Sequence, residues 1–293
     1  MTARVISAVN RKGGVGKTST TFHLAGYYAG QSQKKNVLVI DADPQHSLST
    51  GIFGPQIADS LDVGTTIAGL FDESMDPLPE DVIRPTPFPR IDIVAGSDEL
   101  TNYNLPKPDE GGILQLALKD FISEIRDRYD IVLIDLPPNI QMCTWAALTA
   151  SDYALCISQP EDYGSQGCVA VQKAIDHVLQ TTNPNLKLAG YLLNLVNKRL
   201  SIHKAYEALL RELYEEKVFK TRMPLSTHFK EAIAARKPIT EYKPKSVAAE
   251  ATRSLGKELL KRMKTLDARP AEFEYAGNKF AAGLGQPKAP EAA

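Results

Sequence analysis

Residues 10–20 read Asn10-Arg11-Lys12-Gly13-Gly14-Val15-Gly16-Lys17-Thr18-Ser19-Thr20, and the fold follows from what stands on either side of them. Val5 to Val9 is a short β-branched run, and Thr18 to Ala29 has helical composition. A strand that passes through a glycine-rich turn into a helix gathers backbone N–H groups at one point. The helix adds the positive end of its dipole to the same spot. The stretch predicts a phosphate-binding loop made of Lys12, Gly13, Gly14, Val15, Gly16, Lys17, Thr18 and Ser19. Lys17 is placed to reach β- and γ-phosphates, and the Thr18 hydroxyl to ligate Mg²⁺. The usual spacing, G-x-x-x-x-G-K-[ST], wants glycine where Arg11 stands. A second lysine, Lys12, opens the loop instead.

Outward from the loop, apolar runs recur at Val37 to Ile40, Ile91 to Val94, Ile131 to Ile134, Tyr153 to Ser158 and Leu186 to Leu195. Continuous rather than alternating runs suit strands covered on both faces. Helical segments fall between most of them, at Gly112 to Arg126, Gln166 to Leu179 and Ile202 to Glu215. The alternation predicts an α/β fold of the P-loop NTPase type: a mainly parallel twisted sheet with helices on both faces. Gly54 to Asp109, rich in Pro, Asp and Gly, reads as long connections around one strand and a short helix. Residues 1–265 read as one domain. Residues 266–293 form an Ala-, Pro- and Gly-rich tail with too little apolar surface to order itself. The other reading of the tail is a partner-binding segment through Phe273, Tyr275 and Phe280.

Two acidic elements follow strands, where the ligand crevice of an α/β sheet opens. One is Asp41-Ala42-Asp43-Pro44-Gln45, whose carboxylates could orient a water or hold Mg²⁺; before Pro44, they could equally form a turn. The other is Ile131-Val132-Leu133-Ile134-Asp135-Leu136-Pro137-Pro138, in which Asp135 ends an apolar strand and is suited to assist Mg²⁺.

The altered loop resembles the deviant Walker A motif of the ParA/MinD superfamily, closest to its short, Soj-like partition proteins. Asp-x-Asp-Pro-Gln resembles that family's switch I, and Asp-Leu-Pro-Pro its switch II. The likeness continues through Gln159-Pro160-Glu161, Leu193 to Arg199, Arg222-Met223-Pro224 and Lys237-Pro238-Ile239, covering about residues 4 to 263. It implies ATP and Mg²⁺ as cofactors and a homodimer that closes on ATP. Lys12 would then reach the partner subunit's phosphates. It further implies Asp43 as the residue positioning the hydrolytic water, with Asp41 supporting it, and Asn197 and Pro224 lining the adenine pocket. A switch II that orders on the γ-phosphate and releases on hydrolysis belongs to the same picture.

Composition sets the remaining bounds. With 43% apolar and 24% charged residues, the chain has enough apolar side chains for a sizeable core. Cys143, Cys156 and Cys168 are too few and wrongly spaced for a disulfide framework or zinc site. Asp-Leu-Pro-Pro carries no cysteine, against the redox branch related to the nitrogenase iron protein. The start Met-Thr-Ala-Arg leaves no room for a signal peptide. No apolar run is long enough to span a membrane. A cytoplasmic, nucleoid-associated protein is expected. It begins at its first strand, as the short ParA type does.

The net charge of −1 hides an asymmetry, because residues 198–263 hold sixteen Lys and Arg against eight Glu. A basic face of this kind gives salt-sensitive, nonspecific DNA binding, and Lys204, Arg211, Lys230, Arg236 and Lys237 are its candidate contacts. The family likeness implies a ParB-like or cargo-adaptor protein that stimulates hydrolysis, and movement of DNA or another cargo. A MinD-like membrane-cycling regulator is the alternative. It would need Leu255 to Met263 as an amphipathic membrane helix, whereas that segment reads better as the closing helix of the fold.

Overall fold

The computed structural model describes residues 2–107, 112–161 and 164–268. Among them, eight strands make one sheet in the order β3-β4-β2-β5-β1-β6-β7-β8. In chain order they are β1 (Arg4–Val9), β2 (Val37–Asp41), β3 (Ile83–Pro85), β4 (Ile91–Val94), β5 (Ile131–Asp135), β6 (Tyr153–Ser158), β7 (Lys187–Val196) and β8 (Val218–Pro224). All pair in parallel except β3, which runs antiparallel to β4 at one edge. The longer helices are α1 (Lys17–Ala29), α2 (Ser47–Phe53), α3 (Ala117–Ile125), α4 (Met142–Ala150), α5 (Gly164–Gln180), α6 (Ser201–Tyr214), α7 (Thr227–Ala234) and α8 (Val247–Asp267).

Alternate residues of the central strands enter two separate cores. Val5, Leu38, Ile40, Val132 and Ile134 pack beneath α3, α4, α5 and α6. Ile6, Val37, Val39, Ile131 and Leu133 pack beneath α1, α2, α7 and α8. Each such side chain taken from water contributes about 1.5–3 kcal/mol. A strand with apolar residues on both sides is therefore stable only between two helical layers. The expected α/β fold is the one observed.

The order places β1 between β5 and β6, so the loop after β1 opens at the centre of the sheet. Asp41 pairs in register with Asp135 on the neighbouring strands β2 and β5. The strand ends thus deliver both carboxylates beside the loop.

Four features differ from the sequence expectation. Between Gly54 and Lys107 there are two strands, β3 and β4, and several short helices, where one strand and one short helix were expected. The segment from Gly112 begins as a 3₁₀ turn to Leu116, and only Ala117–Ile125 is α-helical. Strand β8 shows no continuous apolar run because it lies at the sheet edge, and Lys220 and Arg222 face solvent. The final helix passes the expected boundary at 265 and ends at Asp267. The Asp267 carboxylate accepts from Arg4 at 3.1 Å and Lys187 at 3.0 Å, and also from the Tyr153 hydroxyl. Leu255, Leu259 and Met263 of that helix are wholly buried in the second core, which is the role of a closing helix. The tail, with Phe273, Tyr275 and Phe280, and Asp109 lie outside the described residues.

Candidate nucleotide site

The loop after β1 is built before any ligand is considered. Gly14 and Gly16 take φ of +74° and +88°, a left-handed backbone that side chains with a Cβ rarely adopt. Gly16 is also approached by the Asn194 amide from β7: a Cβ built there would lie 2.3 Å from Asn194 Nδ2. That amide donates to the Val15 carbonyl at 2.7 Å. Asn10 braces the other flank, donating to the Ile157 carbonyl at 2.6 Å and accepting from the Lys12 N–H at 2.9 Å. The Asn194 bond thus holds the Val15 carbonyl against β7. Pro138 of the Asp-Leu-Pro-Pro segment packs against Gly13, 3.6 Å from where its Cβ would be.

Lys17, the first residue of α1, is 6% exposed, and its Nζ donates to the Lys12 carbonyl at 3.3 Å. Burial lowers its pKa, while Asp135 and then Asp43 oppose that shift. Asp41 and Asp135 have no solvent exposure, and Asp43 has 9%. Asp41 accepts from the Ser49 N–H and hydroxyl, both at 2.8 Å, and from the Asp43 N–H at 3.4 Å. Burial pushes its pKa up to about 6 despite those bonds. Asp43 accepts from the Gln45 N–H at 2.9 Å, which fixes the turn after β2.

Asp135 differs from both. Among the described residues neither of its oxygens has a well-formed hydrogen bond. Burial, and then the charge of Asp41, raise its pKa well above the usual carboxylate range; the nearby Thr18 hydroxyl and Lys17 work against them. A bare carboxylate buried beside a hydroxyl and a cluster of negative charge fits a divalent cation. Asp135 and Thr18 would hold Mg²⁺. Asp41, expected as a further metal ligand, has its oxygens engaged by Ser49 and the Asp43 N–H and fits the role of anchoring the Asp43 turn. No cluster of three or more His, Cys, Asp or Glu forms a self-sufficient metal site among the described residues.

Lys12 points to a carboxylate of its own chain, with Nζ 2.9 Å from Glu161 Oε2. Both side chains are partly exposed, at 32% and 46%. Such a pair contributes about 0–1 kcal/mol, so a phosphate can readily replace Glu161. Asn197 and Pro224 close the ends of β7 and β8, and Val196 pairs with Pro224. Asn197 Oδ1 accepts from the Arg199 N–H at 3.0 Å, so part of that side chain serves the turn. Lys204 on α6, Lys230 on α7, and Arg236 and Lys237 just beyond α7 are exposed. The Arg236 guanidinium lies over Gly54, within 2.6 Å of where its Cβ would be. Arg211 requires a correction. Its guanidinium donates to Glu207 at 2.7 Å and to the Phe219 carbonyl at 2.9 Å, tying α6 to β8 instead of facing outward.

Asn10, Ser49, Glu161 and Asn194 carried no role in the sequence reading. An Asn at the foot of a glycine-rich loop was the one available signal. Ser49 and Asn194 act across the fold, and nothing in their local sequence marks them.

A family model described as an AAA domain matches residues 3–188. The chromosome partitioning protein ParA of Myxococcus xanthus is 32% identical over 259 residues, covering 88% of each chain. The chain belongs to the ParA/MinD family of P-loop ATPases. Among solved structures, apo McdA of Cyanothece superposes with a TM-score of 0.76 at 20% identity, over 88% of this chain and 99% of that one. A Mycobacterium smegmatis cobyrinic acid a,c-diamide synthase with bound ATP analogue and magnesium gives 0.73 at 25% identity, over 90% and 96%. Cys143, Cys156 and Cys168 are free, buried thiols, and the Cys156 and Cys168 sulfurs lie 4.0 Å apart. No described helix is long and apolar enough to cross a membrane.

Proposed function

We propose that this chain is a ParA-type ATPase that moves DNA or another large cargo over the nucleoid. It would bind ATP with Mg²⁺, which supplies charge neutralisation at the β- and γ-phosphates. The loop N–H groups and Lys17 hold the phosphates, Thr18 and Asp135 hold the metal, and Asp43 orients the attacking water. Asn197 and Pro224 edge the adenine. Two copies close on ATP when Lys12 exchanges Glu161 for the partner subunit's phosphates. The closed dimer presents Lys204, Lys230, Arg236 and Lys237 to DNA phosphates without reading sequence. A ParB-like protein or cargo adaptor stimulates hydrolysis and so releases the dimer.

The observation that carries this reading is the buried Asp135, without a well-formed hydrogen bond, beside Lys17 and Thr18 at the end of the central strands. One experiment tests it: a nonspecific DNA shift and a liposome pelleting assay, each with ATP and with ADP. DNA binding is expected with ATP alone, weakening steeply with salt, and absent in Lys12→Ala. Liposome binding with ATP and no DNA shift would replace this reading with the MinD-like one. An unaltered Lys12→Ala dimer would remove the sandwich.

A further inference from the structure

We infer that the outer face of α6 is a contact surface through which two copies of this chain pair about a two-fold axis. The inference does not depend on the nucleotide reading. Helix α6 is amphipathic twice over. His203, Leu210 and Tyr214 face inward and are buried. On a second side, Ile202, Leu209 and Leu213 are 52%, 41% and 49% exposed, and Leu200 just before the helix is 43% exposed. Steps of seven and four residues return to nearly the same direction on a helix, so these side chains form one stripe, with half-buried Tyr206 along it. Ile202 to Leu213 spans about 16 Å at 1.5 Å per residue. Single exposed leucines are ordinary, whereas an aligned row on a charged chain marks an interaction surface.

The charges at the two ends of the stripe choose its occupant. Lys198 and Arg199 stand exposed before the helix, and Glu212 and Glu215 are exposed at its far end. Arg199 and Glu215 form no ion pair among the described residues. An antiparallel second copy sets Ile202 against Leu213, places Leu209 near the axis, and brings Arg199 of one copy to Glu215 of the other. The face is self-complementary, as an isologous interface must be. A uniformly charged partner, or an anionic bilayer, would match only one end. Ala205 beside the stripe lets the helices approach. One helix face buries less than the roughly 800 Å² per partner of a stable complex, so the association is weak and concentration-dependent.

Sedimentation equilibrium on the full chain without nucleotide tests this, because the ATP-closed dimer is then absent. Between about 5 and 200 µM, the range of a weak contact, the wild type should move from monomer toward twice its mass. The Leu209→Glu, Leu213→Glu double variant should stay monomeric with an unchanged circular dichroism spectrum. Arg199→Glu alone should weaken pairing about fivefold, through two symmetry-related charge contacts, and adding Glu215→Arg should restore it. Because these charge variants leave the apolar stripe intact, they keep the test open if the double glutamate variant fails to fold. A wild type that stays monomeric throughout, pairing that survives the glutamates, or failure of the charge exchange to rescue would overturn the inference. So would binding of the monomer to anionic vesicles that the glutamates abolish.

Discussion

Asp41 and Asp135 end neighbouring strands in register, both without solvent exposure, yet their surroundings are opposite. Asp41 is saturated, with two donors from Ser49 and a third from the Asp43 N–H. Asp135 is bare. A saturated carboxylate is finished by the fold, and its work is to shape the turn that carries Asp43. A bare one is finished by something the chain does not contain. Leaving a buried acceptor unsatisfied costs about 1–3 kcal/mol, and more when it is charged. A fold that keeps such a cost next to a phosphate loop marks where its ligand belongs.

The sharpest way to break this contrast is to neutralise each member in turn. With Mg²⁺ and ATP at a thousand times the dissociation constant, ligand linkage should stabilise the wild type by about 4 kcal/mol. Asp135→Asn should lose most of that gain, read from denaturant unfolding with and without Mg·ATP. Without nucleotide it should be more stable than wild type by about 1–2 kcal/mol, since a buried carboxylate without a well-formed hydrogen bond is gone. Asp41→Asn should go the other way and destabilise the nucleotide-free protein, because the Ser49 donors lose their anionic acceptor. If both variants are destabilised without nucleotide, Asp135 has a structural partner and the contrast fails.

A smaller effect sharpens the saturated side. Asn194→Ala removes the donor to the Val15 carbonyl and should cost about 2 kcal/mol by leaving that acceptor unmet. Because Val15 and Gly16 carry the loop, nucleotide affinity should fall about tenfold, measured by titration calorimetry. Unchanged affinity with lowered stability would show that the loop holds its shape without β7.

How much of this was legible follows the same division. The groups proposed to meet the nucleotide lie in short stretches with a strand before them: Lys12 to Ser19, Asp43 and Asp135. The sequence spacing located them because one strand end presents several neighbours at once. The groups that finish the fold come from far along the chain. Asn194 meets Val15 across 179 residues, and such a contact leaves no local pattern. Arg211 was misread for a related reason: its charge is visible in sequence, but its Glu207 and Phe219 partners depend on how α6 lies against β8. Strand β8 escaped notice because an edge strand has one wet face and so lacks the continuous apolar run.

His23 repeats the contrast within a single ring and gives the smallest effect. Its Nδ1 accepts from the Ile239 N–H at 3.1 Å, while Nε2 is buried without a well-formed hydrogen bond, with the Phe229 backbone near the ring. Burial lowers its pKa from 6.5 to about 3. On acidification the unfolded chain takes up this proton first. The contribution is therefore complete above pH 6.5 and is lost progressively as the pH falls toward 3. From pH 6.5 to 5.5 that single group should remove about 1 kcal/mol of stability. His23→Asn keeps an acceptor for the Ile239 N–H and cannot titrate, so the difference in its unfolding free energy from wild type should change by that amount. Equal slopes for the two proteins would mean that the ring titrates alike in the folded and unfolded chain, so that burial does not hold it neutral.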